Sequence, residues 1–174
     1  MSDKDSLFTM RPIASALNQL RAAVRAQSTS AAKKAPKVSE LSIAQVLKTT
    51  PGVFKENAKN VVIKDLKRGN TRAGFPGVKA VAKDVFSKPG TRGRSHKCSI
   101  VAMDGKPVYL SKAAYFSCDC EAFLYWCEVA LHAKGAAAIK FSNGEAPDTR
   151  NPRKLPMICK HLIELAYTCR EHKF

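Results

Sequence analysis

Two pairs of side chains that commonly bind metals lie in the C-terminal part of the chain. One residue separates Cys118 from Cys120 in the stretch FSCDCEAF, and one residue separates Cys159 from His161 in MICKHLIEL. Thiolate and imidazole groups are preferred ligands of Zn²⁺, and three cysteines with one histidine form a common structural zinc set. The pattern therefore predicts a Zn²⁺ site built from these four residues.

The elements predicted around the two pairs allow all four side chains to converge. Residues i and i+2 of a strand point to the same face, so an extended segment can direct Cys118 and Cys120 toward one point. Residues two apart in a helix diverge by about 200°. We therefore expect Cys159 just before a helix and His161 in its first turn. The N-terminus of that helix and Lys160 would both favour thiolate over thiol.

Two other interpretations of the cysteines remain open. Cysteine is often buried as a small hydrophobic residue, and we expect this for Cys98, Cys127 and Cys169, which lie among apolar residues. A cysteine nucleophile beside His161 would instead make the protein an enzyme. Such a nucleophile needs no second or third cysteine, however, and no oxyanion-loop pattern accompanies these residues. We therefore predict a structural site and no catalysis.

The order Cys-x-Cys, spacer, Cys-x-His after a β-hairpin resembles the SWIM zinc finger, over roughly residues 95–170. In that family a ββα unit holds one Zn²⁺, so the resemblance implies that Cys118, Cys120, Cys159 and His161 are the ligands. The spacer of 38 residues is longer than is usual in the family and contains an apolar helix of its own. The resemblance implies binding to DNA or protein, and it implies no reaction.

The layout of the whole chain is also similar, more weakly, to small zinc-finger proteins of large tailed phages. The similarity rests on a basic N-terminal part followed by a hairpin and the cysteine pairs. It implies an alternative role as a structural or assembly component of a phage virion. The partners would then be neighbouring protein subunits.

The positive charge of the chain is concentrated in its N-terminal half. The net charge is +16, and residues 1–97 contribute +14 of it, with 20 Lys and Arg against 6 Asp and Glu. This asymmetry favours a polyanionic partner, nucleic acid first, although a basic surface can also serve solubility alone. Basic side chains beside flexible glycines can reach phosphates. The candidate nucleic-acid contacts are Lys67, Arg68, Arg72, Arg92, Arg94 and Lys97.

The hydrophobic periodicity predicts an α+β fold, with a small antiparallel sheet or hairpin and helices around one Cys₃His zinc site. We divide the chain into an extended basic arm at 1–37 (a helix over 11–25 and a linker), a basic helix and strand region at 38–94, and a zinc-finger domain at 95–174. The predicted elements are a helix over 39–48 with Ser39 as N-cap, strands over 61–66 and 78–86, a basic loop over 67–77, two strands around Asp104-Gly105 within 96–111, an extended segment over 113–120, and helices over 121–134 and 157–173.

The sequence also bears on the location of the protein. No run approaches the roughly 20 apolar residues of a membrane span, so we expect no membrane partner. The N-terminal stretch MSDKDSLFTM lacks the basic and then apolar pattern of a secretory signal. We therefore expect an intracellular, cytoplasmic protein, with incorporation into a virion as a further possibility. In a reducing compartment, six cysteines are free thiols or metal ligands more readily than disulfides.

Overall fold

A four-stranded antiparallel sheet with the order β1-β2-β3-β4 forms the centre of the fold in the computed structural model, which describes residues 39–85, 93–145 and 149–174. The strands are β1, Val61–Asn70; β2, Pro76–Asp84; β3, Ser95–Ala102; and β4, Ala114–Cys118. The sheet crosses the predicted domain boundary between residues 94 and 95. The predicted helix over 11–25, the linker that follows it and Arg92 lie outside the described residues.

Helices precede and follow the sheet. They are α1, Ile43–Thr49; α2, Gly52–Ala58; a helical segment over 121–133 that contains a π-helical turn, Phe123–Cys127, and then α3, Glu128–Ala133; and α4, Lys160–Glu171. The fold is therefore α+β, as predicted. In the part of the chain that the structure describes, none of the helices has the length and apolar character that a bilayer crossing requires.

One face of the sheet is covered and the other is open. Residues alternate between buried and exposed along β2 and β3, as expected when only one face packs on a core. Helix α4 packs against all four strands and buries Leu162, Ile163 and Leu165 completely. The three cysteines expected in the core, Cys98, Cys127 and Cys169, are all buried. Burial raises the pKa of the Cys98 and Cys169 thiols to about 12, so both remain protonated at neutral pH.

The prediction of Ser39 as the N-cap of α1 is wrong. The helix begins at Ile43, and Ser42 caps it. The Ser42 hydroxyl accepts a hydrogen bond from the Gln45 amide at 3.2 Å, while the Gln45 side chain accepts one from the Ser42 amide at 2.8 Å. This reciprocal capping box satisfies two backbone donors, and it outcompetes Ser39, which is buried and accepts only from the Leu41 amide.

The end of one predicted strand and the assignment of another are also wrong. β1 continues through Asn70, so the first residues of the predicted loop over 67–77 belong to a strand. The second strand predicted within 96–111 is a 3-10 helix, Val108–Leu110. The strand that pairs with β3 is instead β4. The Asp104 carboxylate accepts hydrogen bonds from the Ser111 hydroxyl and the Lys112 amide, and these bonds hold the longer loop that connects β3 to β4.

The aromatic residues of segment 121–133 are only partly in the core. Phe123 is buried, and Trp126 is half-buried with its ring centroid 5.2 Å from that of Phe54. Tyr125, by contrast, is 58% exposed. The segment buries one side only, and Tyr125 lies on the other.

A buried carboxylate organises the connection after α3. Glu128 is fully buried, and its two oxygens accept hydrogen bonds from the backbone amides of Lys140, Phe141 and Ser142 at 2.7 to 3.3 Å. Charged acceptors form stronger hydrogen bonds than neutral ones. Glu128 therefore fixes the segment over 140–142 beside the edge of the sheet.

Replacement of Glu128 by Gln should destabilise the protein by about 2 kcal/mol, because the amide group cannot accept from all three backbone donors. Glu121→Gln is the matched control on the same helical segment. Its side chain is 74% exposed and pairs only with Arg94, so its loss should cost less than about 0.5 kcal/mol. Urea denaturation measures both values, and equal losses would contradict this role of Glu128.

Candidate metal centre

The structure brings together the side chains of Cys118, Cys120, Cys159 and His161. Their ligand atoms all lie within 4.8 Å of one another, and all four residues are buried. Cys118 ends β4, Cys159 is the N-cap of α4, and His161 lies in the first turn of that helix, as expected. The extended geometry predicted for the first pair stops at Cys118, because a helix begins directly after Cys120. The two sulfurs nevertheless converge.

The spacing of the donor atoms fits a tetrahedral zinc ion. The Nδ1 atom of His161 lies 3.9 Å from the Cys118 sulfur and 4.0 Å from the Cys159 sulfur. With Zn–S bonds of about 2.3 Å and Zn–N bonds of about 2.0 Å, a sulfur and a nitrogen of one tetrahedral site lie about 3.5 Å apart. These two separations exceed that value by about 0.5 Å, so modest shifts of the side chains would bring the nitrogen and these sulfurs to the spacing of a zinc site.

Asp84, at the end of β2, sets the orientation of the histidine ring. Its carboxylate accepts a hydrogen bond from His161 Nε2 at 3.1 Å and pairs with the Lys160 ammonium at 2.8 Å. A proton held at Nε2 leaves the Nδ1 lone pair directed at the sulfurs, the arrangement in which a carboxylate supports a metal-binding histidine. Burial raises the pKa of Asp84, but the hydrogen bond and charge of Lys160 outweigh it, so the pKa is lowered and the carboxylate stays ionised.

Lys160 contributes to the site through Asp84, because its ammonium group pairs with that carboxylate. A second histidine also borders the site, because the rings of His96 and His161 lie 4.5 Å apart, and His96 Nδ1 lies 3.2 Å from a carboxylate oxygen of Asp119. Sequence reasoning missed Asp84 and His96. No local motif contains them, since β2 and β3 bring them to the site from a distance along the chain.

The three thiols do not ionise alike. The Cys118 and Cys159 thiols donate to the Cys120 sulfur and lower the pKa of Cys120. The Phe123 amide also donates to this sulfur, at 3.3 Å. The hydrogen bond between Cys118 and Cys120 raises the pKa of the Cys118 thiol, and burial raises the pKa of the Cys159 thiol. A Zn²⁺ ion that binds three thiolates would therefore displace the protons of the thiols that remain protonated.

Buried polar groups hold the chain that leads to Cys159. The Thr50 hydroxyl accepts from the Ile158 amide at 3.1 Å and donates to the Val46 carbonyl at 2.7 Å. The Asn151 amide group donates to the carbonyls of Trp126 and Leu155 at 2.8 and 2.9 Å. These contacts tie the approach to α4 to α1 and to segment 121–133, so the second ligand pair is held by the core.

The candidate nucleic-acid contacts that the structure describes lie on different parts of the surface. Lys67 and Lys97 both lie on the open face of the sheet, where their exposed side chains point away from α4. Arg68 lies on the opposite face, with its guanidinium 4.6 Å from the centre of the Phe174 ring. Arg94 forms an exposed ion pair with Glu121 at 3.0 Å, and Arg72 is exposed in the turn between β1 and β2.

Comparison with family models, with curated proteins and with solved structures finds no match to this chain. The function proposed below therefore depends on the residues themselves, and first on the buried Cys₃His cluster.

Replacement of Asp84 by Asn should lower the affinity for zinc about 10- to 100-fold, because the hydrogen-bonded partner of His161 loses its charge. Asp65→Asn removes the same charge from an exposed position in β1 and should leave the affinity unchanged. Competition with a chromophoric chelator measures both affinities. A wild-type affinity in the Asp84 variant would show that this carboxylate does not support the site.

Proposed function

We propose that the protein is a non-enzymatic interaction module in which one structural Zn²⁺ stabilises the fold and basic residues contact nucleic acid. Cys118, Cys120, Cys159 and His161 would hold the ion. The observation that carries the proposal is the convergence of these four ligand atoms within 4.8 Å in the core.

The ligand set and its burial support a structural role for the ion. Catalytic zinc sites keep one position for water or substrate, whereas structural sites use four protein ligands. Here four ligands are present, and none of them is more than 3% exposed. A substrate would have no route to the ion and no vacant position on it.

The places of the ligands in the fold explain what such an ion would stabilise. It would join the end of β4 to the start of α4, two elements that are far apart along the chain. The order of β3, β4 and a helix is the ββα order that the resemblance to the SWIM finger implies, and segment 121–133 fills the long spacer. Zinc binding contributes an apparent ~10–16 kcal/mol to folding in small finger peptides, so loss of the ion should be costly here.

The charge of the chain supports nucleic acid as the partner. The net charge of +16 far exceeds what solubility requires of a small domain. Lysine and arginine side chains that neutralise phosphates release counterions, and this release drives binding in a salt-dependent way. Nucleic acid is thus favoured over the protein subunits of an assembly, the alternative partner.

Variants of the ligands should separate structural metal binding from ordinary burial. Cys159→Ala and His161→Ala should lose stoichiometric zinc and unfold the C-terminal half, because each removes a ligand that joins α4 to the sheet. Cys169→Ala, the matched control in the same helix, removes a buried thiol outside the cluster and should retain zinc. Elemental analysis and thermal unfolding measure both effects. Full zinc content in all three variants would overturn the zinc assignment.

Binding of the zinc-loaded full chain to a 20-nucleotide single strand should fall steeply with salt. With about four phosphate contacts, the slope of log K against log salt is about −2.8, so the affinity drops about 50-fold between about 50 and 200 mM salt. Fluorescence anisotropy measures the slope. If no binding occurs even at low salt, the nucleic-acid assignment fails; a salt-resistant stoichiometric complex with another protein would then favour an assembly role.

A further inference from the structure

The open face of the sheet carries a concentration of lysines. The register between neighbouring strands shows which residues lie on this face. They alternate along each strand with the buried residues that pack on α4. The lysines of this open face are Lys64, Lys67, Lys79, Lys83 and Lys97, and all five are exposed. Lys140, which Glu128 holds at the edge of the sheet, adds a sixth.

An irregularity in β1 places two of these lysines on the same face. Residues three apart in a regular strand point to opposite faces. The register shifts between Lys64 and Lys67, so that Lys64 pairs with Val81 and Lys67 pairs with Lys79, only two residues along β2. The extra residue is taken up by a β-bulge at Asp65, whose φ of 49° is tolerated better by Asp than by most residues. Both lysines therefore face outward.

Two lysines form a like-charged pair across strands β1 and β2. Lys67 and Lys79 lie directly opposite each other on the open face. Like charges in direct cross-strand pairs destabilise a sheet. Among the residues that the structure describes, none of the six lysines forms a salt bridge that would relieve this repulsion. The arrangement favours a surface that is neutralised by an anionic partner.

Four of these lysines, Lys67, Lys79, Lys97 and Lys140, border a groove that runs across the open face. Its main part, of about 640 Å³, is lined by Lys67, Lys79 and Lys97, with Ser99 and Ser117 among its lining residues. A smaller depression continues it past Lys67 and Lys79 toward Gly77. A Cβ atom at Gly77 would lie 3.2 Å from a methyl carbon of Val101, so glycine keeps this end of the groove free of a side chain.

Two carboxylates also line the groove and leave its charge positive. They belong to Asp65 and Asp119. Asp119 is already engaged, because it accepts from the Lys97 amide at 3.0 Å and lies 3.2 Å from His96. The lysine ammonium groups therefore outnumber the free carboxylates.

The edge of the groove adds an aromatic ring. Phe141 lines the groove and is 39% exposed, and the Lys140 ammonium lies 5.0 Å from the centre of its ring. Exposed aromatic rings beside a basic groove are the means by which proteins stack the bases of single strands. Readout of a duplex in its major groove instead needs a protruding helix or ribbon, and a shallow sheet face provides neither.

We propose that this groove binds single-stranded nucleic acid, with the lysines on the phosphates and Phe141 against a base. The proposal rests on the nucleic-acid contact of the proposed function and adds the surface and the form of the ligand. The main part of the groove includes Lys67 and Lys97, and Arg68 borders its smaller end, whereas Arg94 lines neither part.

The test uses the zinc-loaded full chain with 20-nucleotide dT and U strands and a DNA duplex of equal length. The double variant Lys67→Gln/Lys79→Gln should weaken single-strand binding about 25-fold at 0.1 M salt and reduce the salt slope by about 1.4. Its thermal stability should be unchanged or higher, because a repulsive pair is removed. The double variant Lys48→Gln/Arg170→Gln removes the same charge from exposed positions on α1 and α4 and should bind like the wild type.

Phe141→Ala should weaken single-strand binding about fivefold or more without changing the salt slope, because stacking releases no counterions. If the wild type binds but the two double variants are equally affected, the groove proposal is overturned while nucleic-acid binding stands. A preference for the duplex overturns the single-strand assignment. Absence of binding by the wild type at low salt overturns both this proposal and the nucleic-acid part of the proposed function.

Discussion

The convergence of three thiols and one imidazole in the core is the constraint on which the rest of the structure depends. These groups come from the end of β4 and the start of α4, and the carboxylate of Asp84 reaches them from β2. Buried thiols favour the protonated form, so the cluster is poorly suited to holding several negative charges by itself. A divalent ion would neutralise the charges and fix the three elements relative to one another.

The two faces of the sheet then have separate tasks. The covered face packs on α4 and holds the apolar core beside the cysteine and histidine ligands. The open face carries the exposed lysines and a shallow groove. Because adjacent residues of a strand point to opposite faces, the same strands supply both surfaces. A metal that fixes the covered face would also fix the positions of the lysines on the open face.

The sequence predicted the features that depend on residue type and short spacing. The close approach of the four candidate ligands, the α+β class and the helix after Cys159 follow from local patterns. The supporting residues do not, because Asp84 meets His161 only through the pairing of distant elements, and Glu128 looks like any other acidic residue of a helix. The bulge at Asp65 was equally hidden, since its effect is a change of register between β1 and β2. Contacts set by tertiary structure thus escaped prediction.

X-ray absorption at the zinc edge of the purified, full-length protein tests the central claim most directly. We predict one equivalent of zinc with three sulfur neighbours at about 2.3 Å and one nitrogen at about 2.0 Å. Such a shell would identify the buried Cys₃His cluster as the ligand set. A folded protein without bound metal, or zinc surrounded mainly by oxygen, would contradict the account.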